Sequence, residues 1–169
     1  MGSNAGLIVW AGVVAIFLLA WALFEFPSVS VLRPLRNYSA QILSVLRIMT
    51  GLLFLQHGSG KYLNIPVGPM NNATPTKLDG GSLVLNWSGT AGIFELIGGT
   101  LIILGLFTRP VAFVLSGMCA VAYFMVHAGR GFFPILNGGE LAALYSFVFL
   151  YLASAGAGAW SLDSLRAKA

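Results

Sequence analysis

Five stretches of this chain are each about long enough to cross a bilayer, and that repetition constrains its fold more than any other feature. They cover residues 7–26, 40–57, 90–107, 110–127 and 140–157. A hydrocarbon core about 30 Å thick needs about 20 mostly apolar residues in helical form. Each stretch is apolar around most of its circumference, as helices facing lipid or one another must be. None alternates with the period of two that a membrane β-strand requires. The expected fold is therefore all-α: an integral membrane four-helix bundle with one additional N-terminal transmembrane helix, five spans in all.

Charge supports this. The 169 residues carry nine Lys or Arg and five Asp or Glu, 8% of the chain, against 57% hydrophobic residues. A soluble domain carries roughly 25% charged residues to cover its surface. So few charges exclude an ordinary cytosolic domain and a disordered chain. The nine cations do not cluster as phosphate binding demands, so no nucleic-acid partner is expected. The expected partners are the lipid bilayer and other membrane-protein subunits. The single Cys119 allows no internal disulfide and no Cys-based metal motif, and reads as packing.

The expected division is residues 1–40 for an N-terminal helix and basic linker, 41–165 for the four-helix domain and 166–169 for a tail. Ala20-Trp21-Ala22 loosely fits a signal cleavage site. No Lys or Arg precedes the apolar run, however, so the first stretch reads as a retained helix. The longest connection, 58–89, holds Pro66, Pro69, Pro75 and the pair Gly80-Gly81. Thr108-Arg109-Pro110 reads as a tight turn, and 129–139 as a Gly-rich loop. With the N-terminus outside, Arg33, Arg36, Arg109, Arg166 and Lys168 fall inside, and Lys61, Lys77 and Arg130 outside. That bias places the C-terminus on the cytoplasmic side. The three Asn-X-Ser/Thr matches, at Asn37, Asn72 and Asn86, read as chance.

Ionisable groups inside a span are costly, so each is a candidate for function. Arg47 and Glu95 are the clearest. If the second helix ends at His57 and the third starts near Gly89, the two differ in depth by about 6 Å. They are expected to pair as a structural intramembrane contact or a functional one. His57 and Lys61 continue the stripe of Arg47, Thr50 and Phe54 on the second helix. The same orientation puts His57, Lys61, His127, Arg130, Asn137 and Glu140 near the outer boundary. A histidine and a carboxylate there can exchange protons with a quinone carbonyl, with Tyr123, Phe124, Phe133 and Trp87 as apolar wall. The other reading is interfacial anchoring, because His, Trp and Lys collect at membrane boundaries. A haem between His57 and His127 is a third reading. No motif marks a bound cofactor, a metal or a catalytic residue. Gly92, Gly98, Gly99 and Gly105 read as close helix packing.

An ordered set of motifs resembles the DoxX family. Leu46-Arg47, then Gly51-Leu52-Leu53-Phe54, His57-Gly58 and Lys61, resembles its opening helix. Phe94-Glu95-Leu96-Ile97-Gly98-Gly99 and Leu104-Gly105-Leu106-Phe107-Thr108-Arg109 look like its second helix and turn. The segment from Ala122 to His127, the run Asn137-Gly138-Gly139-Glu140 and the closing Trp160-Ser161-Leu162-Asp163 follow in order. The resemblance covers about residues 42–165. It implies a four-helix bundle linked to quinone-associated redox chemistry. Family members include a subunit of thiosulfate:quinone oxidoreductase and a partner of thiol-oxidant defence proteins. Its recurring polar positions fall here on Arg47, His57, Lys61, Glu95, His127, Asn137 and Glu140. The first 40 residues depart from the pattern and suggest a docking element. Two functions therefore stand: a subunit supporting quinone-linked electron transfer, with quinone as the implied ligand, or a non-catalytic accessory subunit of a respiratory or photosynthetic complex. A small transporter is disfavoured, since there is no repeat and no broken helix pair.

Overall fold

The computed structural model describes residues 3–25, 33–63, 65–66 and 87–168. It is helical throughout, with no strand among the described residues. The chain divides into two units, Met1–Ser39 and Ala40–Ala169. The first contains α1, Ser3–Glu25, and the short α2, Arg33–Asn37. Along α1 the described side chains up to Trp21 are exposed, among them Ile8, Trp10, Ile16 and Phe17. Phe26, Lys77, Asn72, Asn86 and most of the loop 58–89 lie outside the described residues.

The second unit is built from α3 (Ser39–Leu63), α4 (Trp87–Leu104), α5 (Thr108–Ala122) and α7 (Glu140–Ala155). Between α5 and α7 run a π-helical turn, Tyr123–His127, a 3-10 turn, Ala128–Arg130, and the single-turn α6, Pro134–Asn137. A last short helix, α8, spans Leu162–Arg166. Ser39–Leu63 and Thr108–Arg130 are long and apolar enough to cross a membrane; Trp10–Ala22, Ser88–Leu104 and Glu140–Ala155 are shorter apolar helices.

Because the helices are apolar all round, hydrophobicity alone does not choose their inner faces. Size and polarity do. On α3 the buried residues are Ser44, Arg47, Thr50, Gly51, Phe54, Gly58 and Gly60. The steps from Ser44 through Arg47, Gly51 and Phe54 to Gly58 are three and four residues, which is one helix face. Large apolar side chains such as Ile97, Phe113, Phe124 and Phe147 point outward instead. This arrangement suits a lipid surround, where small residues bring helices together and apolar ones face acyl chains.

The α3–α4 seam shows how tightly. A Cβ on Gly51 would lie 3.0 Å from the backbone N of Ile103 and 3.1 Å from Gly99 O. On Gly58 it would lie 2.9 Å from both Gly92 O and Leu96 N. These are backbone atoms and cannot swing away. Beyond the seam, Phe54 meets Phe149 edge-on at 4.9 Å and Tyr145 at 5.2 Å. Ser116 Oγ donates to Ser146 O at 2.8 Å, tying α5 to α7.

One end of the unit is sewn together by the chain after α7. Helix α4 stops because Gly105 adopts φ +64, and a side chain there would collide with Ser161 and the Arg47 guanidinium. The turn is thus centred on Gly105, and Thr108-Arg109-Pro110 forms the first turn of α5, where proline is tolerated. Asp163 accepts from Phe107 N at Oδ1 and Thr108 N at Oδ2, both 2.8 Å, capping α5 from outside its own sequence. Trp160 N donates to Ser44 Oγ at 3.0 Å and Ala159 N to Ala40 O at 3.1 Å. Arg109 donates to the final carbonyls of α7, Ala153 O, Ser154 O and Ala155 O. Arg166 lies 4.8 Å over the Phe107 ring.

Burial pushes the Asp163 carboxyl upward, but the Thr108 and Phe107 amides and the Arg166 charge outweigh it and hold it below its ordinary value. A carboxyl lowered on folding stabilises fully above its unfolded pKa of about 4 and loses that stabilisation as pH falls through the folded value. Asp163→Asn should therefore flatten the acid limb of stability below about pH 4, read by thermal unfolding in detergent. Gly58→Val should lower stability by about 1–3 kcal/mol through overpacking. The matched control is Gly117→Val, because nothing lies within 4 Å of a Cβ there.

Candidate functional site

The polar candidates separate into two groups at opposite ends of the helices. At the sewn end lies Arg47, fully buried. Its Nε donates to Ala157 O at 2.7 Å and its Nη1 to Ile103 O at 2.6 Å. Nη1 also donates to Ile102 O, and Nη2 to Trp160 O. The guanidinium thus takes up carbonyls left over where α4 ends and where α7 gives way to α8. Those carbonyls carry the negative end of the α4 dipole, which partly offsets a buried positive charge.

The expected contact between Arg47 and Glu95 is not formed. Helix α3 continues past His57 to Leu63, which brings Lys61 into the helix opposite Glu95. Lys61 Nζ bonds both Glu95 oxygens, at 2.7 and 2.8 Å. The Ile102 and Ile103 carbonyls that Arg47 reaches lie about 11 Å further along α4 from Glu95. The depth argument erred because it ended the helix six residues early. Lys61 is 28% exposed and Glu95 10%, so the pair is largely but not fully withdrawn from the surface.

At this second end the structure forms a compact network around Asn137. This side chain, 3% exposed, donates from Nδ2 to Gly131 O at 2.8 Å and to Tyr123 Oη at 3.4 Å. Its Oδ1 accepts from Gly139 N at 2.8 Å. Its backbone carbonyl faces His127 Nδ1 at 3.3 Å. A carbonyl only accepts, so this bond needs the proton on Nδ1. Neutral His127 then presents an unprotonated Nε2. The π-helical turn carries both Tyr123 and His127, and Gly139 packs on their side chains: a Cβ there would lie 2.7 Å from each.

The remaining candidates are less engaged. His57 is exposed, its ring edge-on to Tyr145 at 5.9 Å. Arg130 and Glu140 are exposed and make no ion pair among the described residues. Phe124 and Phe133 are exposed; the Trp87 side chain lies outside the described residues. So the structure joins Lys61 to Glu95, His127 to Asn137 and His57 to Tyr145. No group of three or more His, Cys, Asp or Glu is placed to hold a metal among the described residues. Sequence reasoning missed Ser44, Gly51, Gly58 and Asp163. The glycines carried a signal, since Gly51 and Gly58 repeat at seven residues, as do Gly92 and Gly99.

Double-mutant cycles separate these partnerships. Lys61→Ala and Glu95→Ala should each cost about 1–3 kcal/mol, and the double variant clearly less than their sum. Arg47→Ala and Glu95→Ala should add to within about 0.5 kcal/mol. Denaturation of the detergent-solubilised variants reads both.

Comparison with known proteins is consistent with this layout. The DoxX family profile matches residues 42–128, from early α3 to the end of the π-helical turn. An uncharacterised protein of Haemophilus influenzae is 47% identical over 133 residues, which is 77% of this chain and 94% of the relative. A second uncharacterised protein of that organism is 38% identical over 81 residues, 48% of this chain and 53% of its own length. No solved structure matches the chain. With its apolar helices and this match, the chain belongs to the DoxX family of membrane proteins.

Proposed function

We propose that this DoxX-family protein is a five-span subunit of a bacterial inner membrane that supports quinone-linked electron transfer. In this reading α3, α4, α5 and α7 form a four-helix bundle, and α1 is the additional span. The N-terminus faces outward and the C-terminus the cytoplasm. The observation that carries the reading is the Asn137 network, which leaves His127 Nε2 as a proton acceptor beside exposed aromatic surface. Quinone supplies two-electron, two-proton redox chemistry at its carbonyl oxygens. His127 Nε2 would take one of the two protons when the bound group is oxidised and return it on reduction, the second exchanging with water at this end. Asn137 holds the imidazole in the required tautomer. Tyr123, Phe124 and Phe133 supply the apolar wall. His57, Lys61, Arg130 and Glu140 set the charge at this end. Electrons leave to or arrive from a partner subunit.

The exposed apolar α1 favours a second reading, in which the chain is a non-catalytic accessory subunit held in a larger complex through that helix. Decylubiquinone titration of the purified protein in nanodiscs distinguishes the two. Under the redox reading, His127→Gln and Asn137→Ala weaken binding by about tenfold or more, the equivalent of one lost hydrogen bond to a charged or strongly polar group. Unchanged affinity in both variants, with loss of co-purifying subunits on deletion of residues 3–25, would favour the accessory role.

A further inference from the structure

The connection between the π-helical turn and α7 reads from sequence as a Gly-rich loop, and its side chains are largely apolar and exposed. Phe132 is 87% exposed, Phe133 60%, Ile135 72% and Leu136 79%. The two phenylalanine rings meet each other edge-on at 5.3 Å. Four large apolar residues in five positions, displayed this fully, form an outward patch that water does not favour.

Part of the backbone of the same segment closes on itself, while among the described residues the N–H groups of Phe132, Phe133 and Ile135 have no main-chain partner. Gly131 N donates to Ala128 O, and Leu136 N and Asn137 N both donate to Phe133 O. Gly138 N donates to Pro134 O. Gly139 N donates to Pro134 O and to Asn137 Oδ1. Pro134 has no N–H to satisfy. Asn137 Nδ2 covers the Gly131 carbonyl. An unmet N–H or C=O in hydrocarbon costs several kcal/mol, typically about 2–7, so the N–H groups of Phe132, Phe133 and Ile135 keep the backbone at the level of the lipid headgroups, where water reaches them, while the side chains extend below.

We propose that residues 131–139 lie along the membrane interface with the Phe132, Phe133, Ile135 and Leu136 side chains inserted among lipid acyl chains. The inference rests on the membrane reading of α5. Two observations select lipid over a protein partner. The patch continues the outward apolar surface of the preceding turn, where Phe124 is 72% exposed, Met125 56% and Val126 48%. The second is charge: the loop opens on Arg130, which makes no ion pair among the described residues. Arg130 sits exposed at the start of the loop, where its long side chain reaches lipid phosphates while its stem stays in the apolar layer. The insertion brings the His127–Asn137–Tyr123 network to the edge of the hydrocarbon instead of the aqueous face.

Spin labels test this. Single cysteines replace Phe132, Phe133, Ile135, Leu136 and, as a span reference, Phe113 in the full-length Cys119→Ser protein. The protein is reconstituted in phosphatidylcholine–phosphatidylglycerol vesicles. Relaxation by oxygen, which concentrates in lipid, is compared with relaxation by the water-soluble complex NiEDDA. Insertion predicts stronger relaxation by oxygen at all four loop positions, as at Phe113. Stronger relaxation by NiEDDA at the loop overturns the proposal, and so does protection from both agents, which would mean a protein cover. If position 113 also favours NiEDDA, the membrane reading itself falls; if only the loop does, the loop proposal falls alone. The unsubstituted chain gives an independent readout. Photolysis with the lipid-soluble probe trifluoromethyl-phenyldiazirine should label peptides containing residues 132–136, and absence of label there while α5 is labelled overturns the proposal.

Discussion

The fold turns on one buried cation. Arg47 is fully enclosed, and its guanidinium binds Ile102 O, Ile103 O, Ala157 O and Trp160 O, all main-chain carbonyls. A buried carboxylate would neutralise the charge, but it would hold only one other position. Main-chain carbonyls from two separate segments fix the end of α4 and the chain beyond α7 relative to α3 at once. The planar guanidinium suits this, with donors in a fixed fork that a lysine lacks. Gly105 and its positive φ follow from it, since the chain must turn without a side chain against the Arg47 fork. The Asp163 cap follows too, because α8 is held where its carboxylate meets the start of α5.

Around that cation the usual distribution of residues is partly inverted. Serine, threonine, glycine and a few charges face inward beside a small apolar core of Phe54, Ile102, Leu115, Phe149 and Leu152, and most of the other phenylalanine, isoleucine and leucine side chains face out. In water this would be unstable. In lipid, apolar surface gains little from leaving its surroundings, and packing together with internal hydrogen bonds must hold helices in place. The glycine seam of α3 and α4 and the Ser116 bond to α7 serve those two needs. Phe54, Tyr145 and Phe149 fill what remains by edge and stacking contacts.

Much of this was legible in the chain, and the rest was hidden for identifiable reasons. Apolar runs located the helices, because length and hydropathy are local properties. Family membership was legible in the ordered motifs from Leu46 to Asp163. Helix ends were harder. Gln56-His57-Gly58-Ser59-Gly60 looks like a loop by composition, yet those glycines are helical because α4 lies against them. That one boundary set Arg47 too near Glu95 in depth and hid Lys61 as the partner of Glu95. Arg47 was recognised as costly, but the search for its partner considered side chains, while its partners are carbonyls that carry no sequence signal. Asp163 was legible only as the last residue of a motif, because its role is set by residues 55 and more positions away. His127 and Asn137 were both singled out, though their mutual contact depends on the π-helical turn, which widens the helix just before the loop folds back.

The two ends of the second unit are therefore unlike in kind. At the Arg47 end, Arg47, Arg109 and Ser44 donate to main-chain carbonyls and Ser44 Oγ accepts from Trp160 N, which leaves that end suited to rigidity. At the other end several groups keep capacity in reserve. His127 retains Nε2, Lys61 remains partly accessible, and His57, Arg130 and Glu140 are exposed. Chemistry needs such spare donors and acceptors, and it needs them held still. The supports for His127 lie in the loop, through Asn137 and Gly139, and the loop in turn presents its apolar residues outward. A site arranged in this way is steadied by the same segment that faces the surroundings. Its approach would then be from the side, along the apolar surface of Phe124 and Phe133, and its reach would favour molecules that partition into lipid over those that remain in water.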